Sequence, residues 1–116
     1  MTIELDSFPH ARWTPLPHPD CRGVDGRVLV RREDMVIAML RFARDGTIHD
    51  HAADHDIDVL CIEGEGRMKV GDEVVDFKDG QQVRWPAGTT HQLWTEGSTM
   101  KTIMMEHLGR APTEVS

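Results

Sequence analysis

Short apolar runs separated by glycine-bearing turns dominate the chain from Val28 onward. The runs are Val28–Arg31, Met35–Ala43, Ile57–Glu63, Arg67–Val70, Val74–Phe77, Gln82–Trp85, His91–Thr95 and Met100–His107. Between them stand Asp45-Gly46, Gly64-Glu65-Gly66, Gly71-Asp72, Asp79-Gly80 and Ala87-Gly88. Glycine supplies the positive φ of tight hairpins, and Asp tolerates it better than most residues. Strand-length runs at about ten-residue spacing predict an antiparallel sandwich or barrel. The plainest hairpin joins Arg67–Val70 to Glu73–Phe77 through Gly71-Asp72, with polar and apolar residues alternating as in a half-buried pair. In Met35–Ala43 the residues Met35, Met39 and Phe42 have helical spacing. The run is short for a helix and its neighbours are strand-like, so it is read as a strand.

Ahead of these runs, residues 1–27 are punctuated by Pro9, Pro15, Pro17, Pro19, Gly23 and Gly26. They read as an arm that Leu5, Phe8 and Trp13 could drape over the domain or a partner. The organisation expected is therefore an arm at 1–27, a barrel at 28–107 and a loose tail at 108–116. With 116 residues, 39% hydrophobic and 28% charged, the chain has material for one modest core, which argues against wholesale disorder. Seven more acidic than basic side chains argue against a nucleic-acid partner. No apolar run approaches a membrane helix, and the N-terminus lacks the pattern of a signal peptide, so no membrane partner and a cytoplasmic location are expected. Cys21 and Cys61 form neither a disulfide framework nor a CxxC site and are read as reduced thiols.

The chemistry concentrates in histidine. Of seven in the chain, His49, His51 and His55 fall within seven residues, and His91 opens a later strand. Residues i and i+2 of a strand share a face, so His49 and His51 could reach one ion, and imidazole suits Zn, Cu, Fe and Ni. Spacing alone leaves open a second reading, a solvated acidic loop. Asp54-x-Asp56-x-Asp58 imitates a calcium loop, but Val59 stands where glycine is needed and Leu60–Ile62 is apolar. Gly64-x-Gly66 lacks the third glycine of a dinucleotide fingerprint, and no serine sits in a nucleophile elbow. The seven methionines read as core fillers, Trp85 and Trp94 as packing, and Arg41, Arg84 and Lys101 as solvated cations. His10, His18 and His107 receive no role.

Gly80-Gln-Gln-Val-Arg-Trp-Pro86-Ala-Gly88-Thr-Thr-His91-Gln-Leu-Trp-Thr95 resembles the second motif of the cupin superfamily, G-x5-P-x-G-x2-H-x3-N, at every position but the last. The first motif, G-x5-H-x-H-x3-4-E-x6-G, is recognisable between Gly46 and Gly64 and ends in Ile62-Glu-Gly-Glu-Gly66. It departs in a short approach from Gly46 to His49 and in lacking the glutamate. With three residues intervening after His51 stands His55, and with four stands Asp56. The resemblance covers roughly residues 28–107 and implies an all-β, small antiparallel jelly-roll barrel. It also implies one divalent transition metal (Fe, Mn, Ni, Zn or Cu) on His49, His51, His55 and His91, with Asp56 and Asp58 as alternatives for the fourth ligand. Such a site would retain the ion's full charge and contain no carboxylate base among its ligands.

The function this implies is an oxygenase-like metal enzyme acting on a small enol, phenol or carboxylate. The alternatives are a non-catalytic ligand-binding or sensing domain with a structural metal, and a metal-dependent isomerase. The last needs a base beyond the ligands, for which Glu63 and Glu106 are the options. A small molecule and a second copy of the chain, forming a homodimer, are the expected partners.

Overall fold

A computed structural model describes residues 2–9 and 12–109. His10 and most of the expected tail, residues 110–116, lie outside the described residues. The strands are β1 (Thr14–Pro15), β2 (Arg22–Arg31), β3 (Met35–Thr47), β4 (Asp56–Val70), β5 (Glu73–Lys78), β6 (Gln82–Trp85), β7 (His91–Trp94) and β8 (Met100–His107). Among the described residues there is no helix, and hence none long and apolar enough to cross a membrane. Every pairing is antiparallel. The protein is an all-β jelly-roll barrel.

Closure comes from two long strands that change partners midway. β3 pairs with β8 through Met35–Phe42 and with β7 at Thr47. β4 pairs with β8 over Asp56–Gly64 and with β7 over Arg67–Val70. The circuit β3–β8–β4–β7 is thus complete, while β5 and β6 extend β4, and β1 and β2 extend β3. Met35–Ala43 is strand throughout, because β8 pairs with Met35–Phe42 on one side and β2 with Val36–Phe42 on the other.

Two of the expected turns are instead bends inside these long strands. Asp45-Gly46 lies within β3, with Asp45 at φ 59°, and Gly64-Glu65-Gly66 lies within β4. The glycines there serve close approach rather than chain reversal. A Cβ on Gly46 would stand 2.5 Å from the Gly23 carbonyl oxygen, and one on Gly64 2.0 Å from that of Thr99. Thr95 secures the first bend: its hydroxyl accepts the Gly46 N–H at 2.9 Å and donates to the Ala43 carbonyl. By contrast, Gly71-Asp72 is the expected two-residue hairpin, with Val70 opposite Glu73.

Apolar side chains fill the barrel. Phe42, Val59, Met68, Trp85, Leu93 and Met100 are all buried, so Met68 and Met100 are core. The arm contributes more than its composition suggests. β2 begins at Arg22, Val24 is core, and β1 pairs with Asp25–Gly26, so the loop Leu16–Cys21 is laid across one end of the barrel. Trp13 packs under the Arg41 guanidinium at 4.5 Å, whereas Ile3 and Leu5 remain exposed. Leu108 and Gly109 are tied back by N–H groups on the Asp34 carbonyl.

At the β4 start, Asp58 accepts two hydrogen bonds from Arg84, each 2.8 Å, and one from His107 Nε2, also 2.8 Å. Arg84 chiefly, with His107 assisting against the cost of burial, holds the Asp58 carboxyl down to about 2. A depressed carboxylate pKa adds stability above the unfolded value and forfeits it as pH falls through the folded one. Folding stability should therefore decline by about 1–2 kcal/mol between pH 4 and 2 on this account. Asp58→Asn should flatten that part of the curve, as urea unfolding at stepped pH would measure.

Candidate metal centre

The chain leaving β3 continues alongside β7 as an isolated bridge. His51 and His91 sit directly opposite and exchange both backbone hydrogen bonds, at 3.1 and 2.8 Å. Opposed residues of such a pair present side chains to the same face. Their rings meet edge to face, and the two Nε2 atoms stand 3.2 Å apart.

That convergence fits a metal ion. Two nitrogens about 2.1 Å from one ion, at the roughly 90–109° of common coordination geometries, lie about 3.0–3.4 Å from each other. The protonation states also fit. His51 Nδ1 donates to the His49 carbonyl at 2.8 Å, which leaves the Nε2 lone pair facing His91. His91 is buried, and burial first, then the neighbouring His51, pushes its pKa down to about 4. A ring that stays neutral at physiological pH is available as a ligand. Beneath it, the Trp85 ring stacks at 4.0 Å and 16°, with its own Nε1–H on the Met68 sulfur at 3.2 Å. The Trp85-Pro86 step thus places the floor of the site immediately before the turn that leads to His91.

The other two histidines of the expected set are engaged elsewhere. His49 stacks on His51 with centroids 4.2 Å apart, while its Nδ1 lies 3.3 Å from the Cys21 sulfur. Burial, then the nearby His51 and His18, lowers its pKa. His55 is clamped between carboxylates, Nδ1 donating to Asp54 at 2.7 Å and Nε2 to Glu106 at 2.8 Å. Burial alone would lower its pKa; those two carboxylates outweigh it and raise it. The two acidic alternatives are also occupied. Asp58 holds Arg84 and His107, and Asp56 accepts the Ala87 N–H at 2.9 Å, bracing the Pro86–Gly88 turn.

A cavity of about 340 Å³ opens beside the histidines. Leu16, Leu40, Ile48, Ile57, Trp85 and Met104 give it apolar walls; His18, Cys21, His49, His51 and Glu106 are its polar groups. Of the two glutamates weighed as bases, Glu106 lines this cavity. Glu63 instead faces Lys101 at 3.4 Å in a separate cavity of about 350 Å³, which also holds the Arg41–Asp25 pair. The arm delivers His18 and Cys21 here, neither of them in the expected ligand set. The His18-x2-Cys21 spacing is the one signal in the sequence that could have drawn attention to them.

A closed antiparallel barrel with histidines at its mouth defines the cupin class. The Cupin_2 family model, a cupin domain, matches residues 38–106, well over half of the chain, and the protein belongs to that family. No curated protein matches it in sequence. Among solved structures it is similar to the polyketide cyclase RemF from Streptomyces resistomycificus, at TM-score 0.80 and 15% identity, covering 100% of this chain and 88% of that one. KdgF from a Halomonas species is similar at TM-score 0.75 and 17% identity, covering 90% and 96%. An RmlC-like cupin from Shewanella frigidimarina is similar at TM-score 0.71 and 17% identity, covering 76% and 78%. At these identities the likeness is one of fold.

Proposed function

We propose that the protein is a metal-dependent cupin enzyme acting on a small enol, phenol or carboxylate held in the 340 Å³ cavity. The observation that carries this reading is the pair of Nε2 atoms converging 3.2 Å apart, with His51 of the pair lining an apolar cavity. The metal would be held by His51 and His91, with His49 and His55 as the remaining ligands once they leave Cys21 and Glu106. A divalent Fe, Mn, Ni, Zn or Cu ion would polarise a substrate oxygen and, where redox-active, support oxygenase-like chemistry. The apolar walls would take the carbon skeleton and exclude water. Exposed Ile3 and Leu5 on the arm, and Val74 and Val75 on β5, support a homodimer. The two free thiols, Cys21 and Cys61, support a reducing, cytoplasmic setting.

Glu106 favours a second reading, an isomerase or cyclising enzyme. It supplies a carboxylate inside the cavity, outside the histidine set, that can accept a proton from carbon or oxygen while His55 Nε2–H orients it at 2.8 Å. Metal-loaded protein can be offered small enols, phenols and 2-oxo acids, beginning with catechol and pyruvate, while oxygen uptake and deuterium exchange are followed. Oxygenase-like activity predicts uptake. The isomerase reading predicts exchange without uptake, reduced about 100-fold or more in Glu106→Gln. Neither signal above that of metal-free protein contradicts enzymatic function and leaves the ligand-binding domain.

A further inference from the structure

The arm brings a thiol to the barrel mouth, and nothing in the His51–His91 site uses it. His18, Cys21 and His49 each offer a ligand atom, all within 4.8 Å of one another. We propose that these three residues form a second, thiophilic metal site of the zinc class, with two nitrogens and one sulfur as donors and its open position toward the cavity.

Several features already hold the trio in place. The His18 ring lies flat on His49, with centroids 3.7 Å apart and planes within 5°. The Cys21 N–H donates to the His18 carbonyl at 2.9 Å, closing the tight loop that sets the two side chains side by side. Leu16 N–H bonds the Val24 carbonyl at 3.1 Å and anchors that loop to β2. Cys21 is half-buried, and its sulfur and His49 Nδ1, 3.3 Å apart, share a single hydrogen bond whose proton a metal would replace. Binding would convert Cys–SH and M²⁺ to Cys–S–M⁺ with release of one proton. On His18, Nδ1 accepts the Asp20 N–H at 3.1 Å, an exposed bond that water can substitute if the ring turns that nitrogen to the ion. Soft thiolate with imidazole selects Zn²⁺ over hard ions such as Mg²⁺, and three protein donors leave a fourth position free.

This site goes beyond the proposed enzyme centre and competes with it for His49, which stays beside Cys21 here and leaves Cys21 there. Cobalt(II), as a spectroscopic substitute for zinc, tests it on the full-length protein. Titration of reduced protein should produce a thiolate-to-cobalt charge-transfer band, and bound Zn²⁺ should slow alkylation of Cys21 at least 10-fold. The band should vanish in Cys21→Ser, weaken in His18→Ala, and survive in Cys61→Ser and His91→Ala. Survival in His91→Ala separates this site from the His51–His91 centre. A wild-type protein that binds cobalt with no such band, or a band that persists in Cys21→Ser, overturns the proposal.

Discussion

His91→Gln and His51→Gln should each weaken metal binding at the barrel centre at least about 100-fold, as measured by competition with a chelator. Both residues sit on paired backbone, so the 3.2 Å approach of their Nε2 atoms is fixed by the ladder rather than by a flexible loop. Losing either nitrogen removes one of the two donors that already converge, and leaves the other to hold the ion with only His49 and His55. Glutamine keeps most of the volume of the imidazole, so His91→Gln should preserve contact with Trp85 and leave the far-ultraviolet spectrum unchanged. His107→Gln is the control: its Nε2 serves Asp58, so metal affinity should stay within about 2-fold. Equal affinity in all three variants would remove the basis for the site.

Trp85→Ala should cost about 3–5 kcal/mol of folding stability. The indole is 1% exposed and among the largest fully buried side chains of the core cluster. It also bridges core and site, with Met68 on its Nε1–H and His91 on its face. The cavity left by alanine would let His91 tilt, so metal affinity should fall together with stability. Trp85→Phe should lose less stability, retaining an aromatic floor while giving up the contact to sulfur. Denaturant unfolding with an unchanged slope would confirm a loss of native-state stability, and a cost below 1 kcal/mol for the alanine variant would contradict this packing.

The barrel was legible because apolar runs of strand length recur along the chain, with hairpin signals such as Gly71-Asp72 standing between them. Two signals misled in detail. Asp45-Gly46 and Gly64–Gly66 have turn composition, but their glycines answer to strands crossing from elsewhere in the chain, at Gly23 and Thr99. Close approach between distant segments leaves no local pattern. The same holds for Thr95, which stands at the motif's Asn position and proves to pin a bend in β3 through Ala43 and Gly46.

At the site, His51 and His91 could be picked out because motif spacing reports strand register. The surroundings of His49 and His55 could not, since their present partners come from other elements. Cys21 arrives from the arm and Glu106 from β8, contacts that span 28 and 51 residues of sequence. By composition the arm reads as drape. Its contribution to the cavity depends on β1 pairing with β2, a ladder two residues long that composition does not announce.

One ion should sit between His51 and His91. Crystals of protein loaded with a single equivalent of Mn²⁺ or Ni²⁺, recorded at that metal's absorption edge, test it most directly. An anomalous peak about 2.1 Å from both Nε2 atoms is the expected result. A peak bonded to neither nitrogen, at full occupancy elsewhere in the protein, would contradict it.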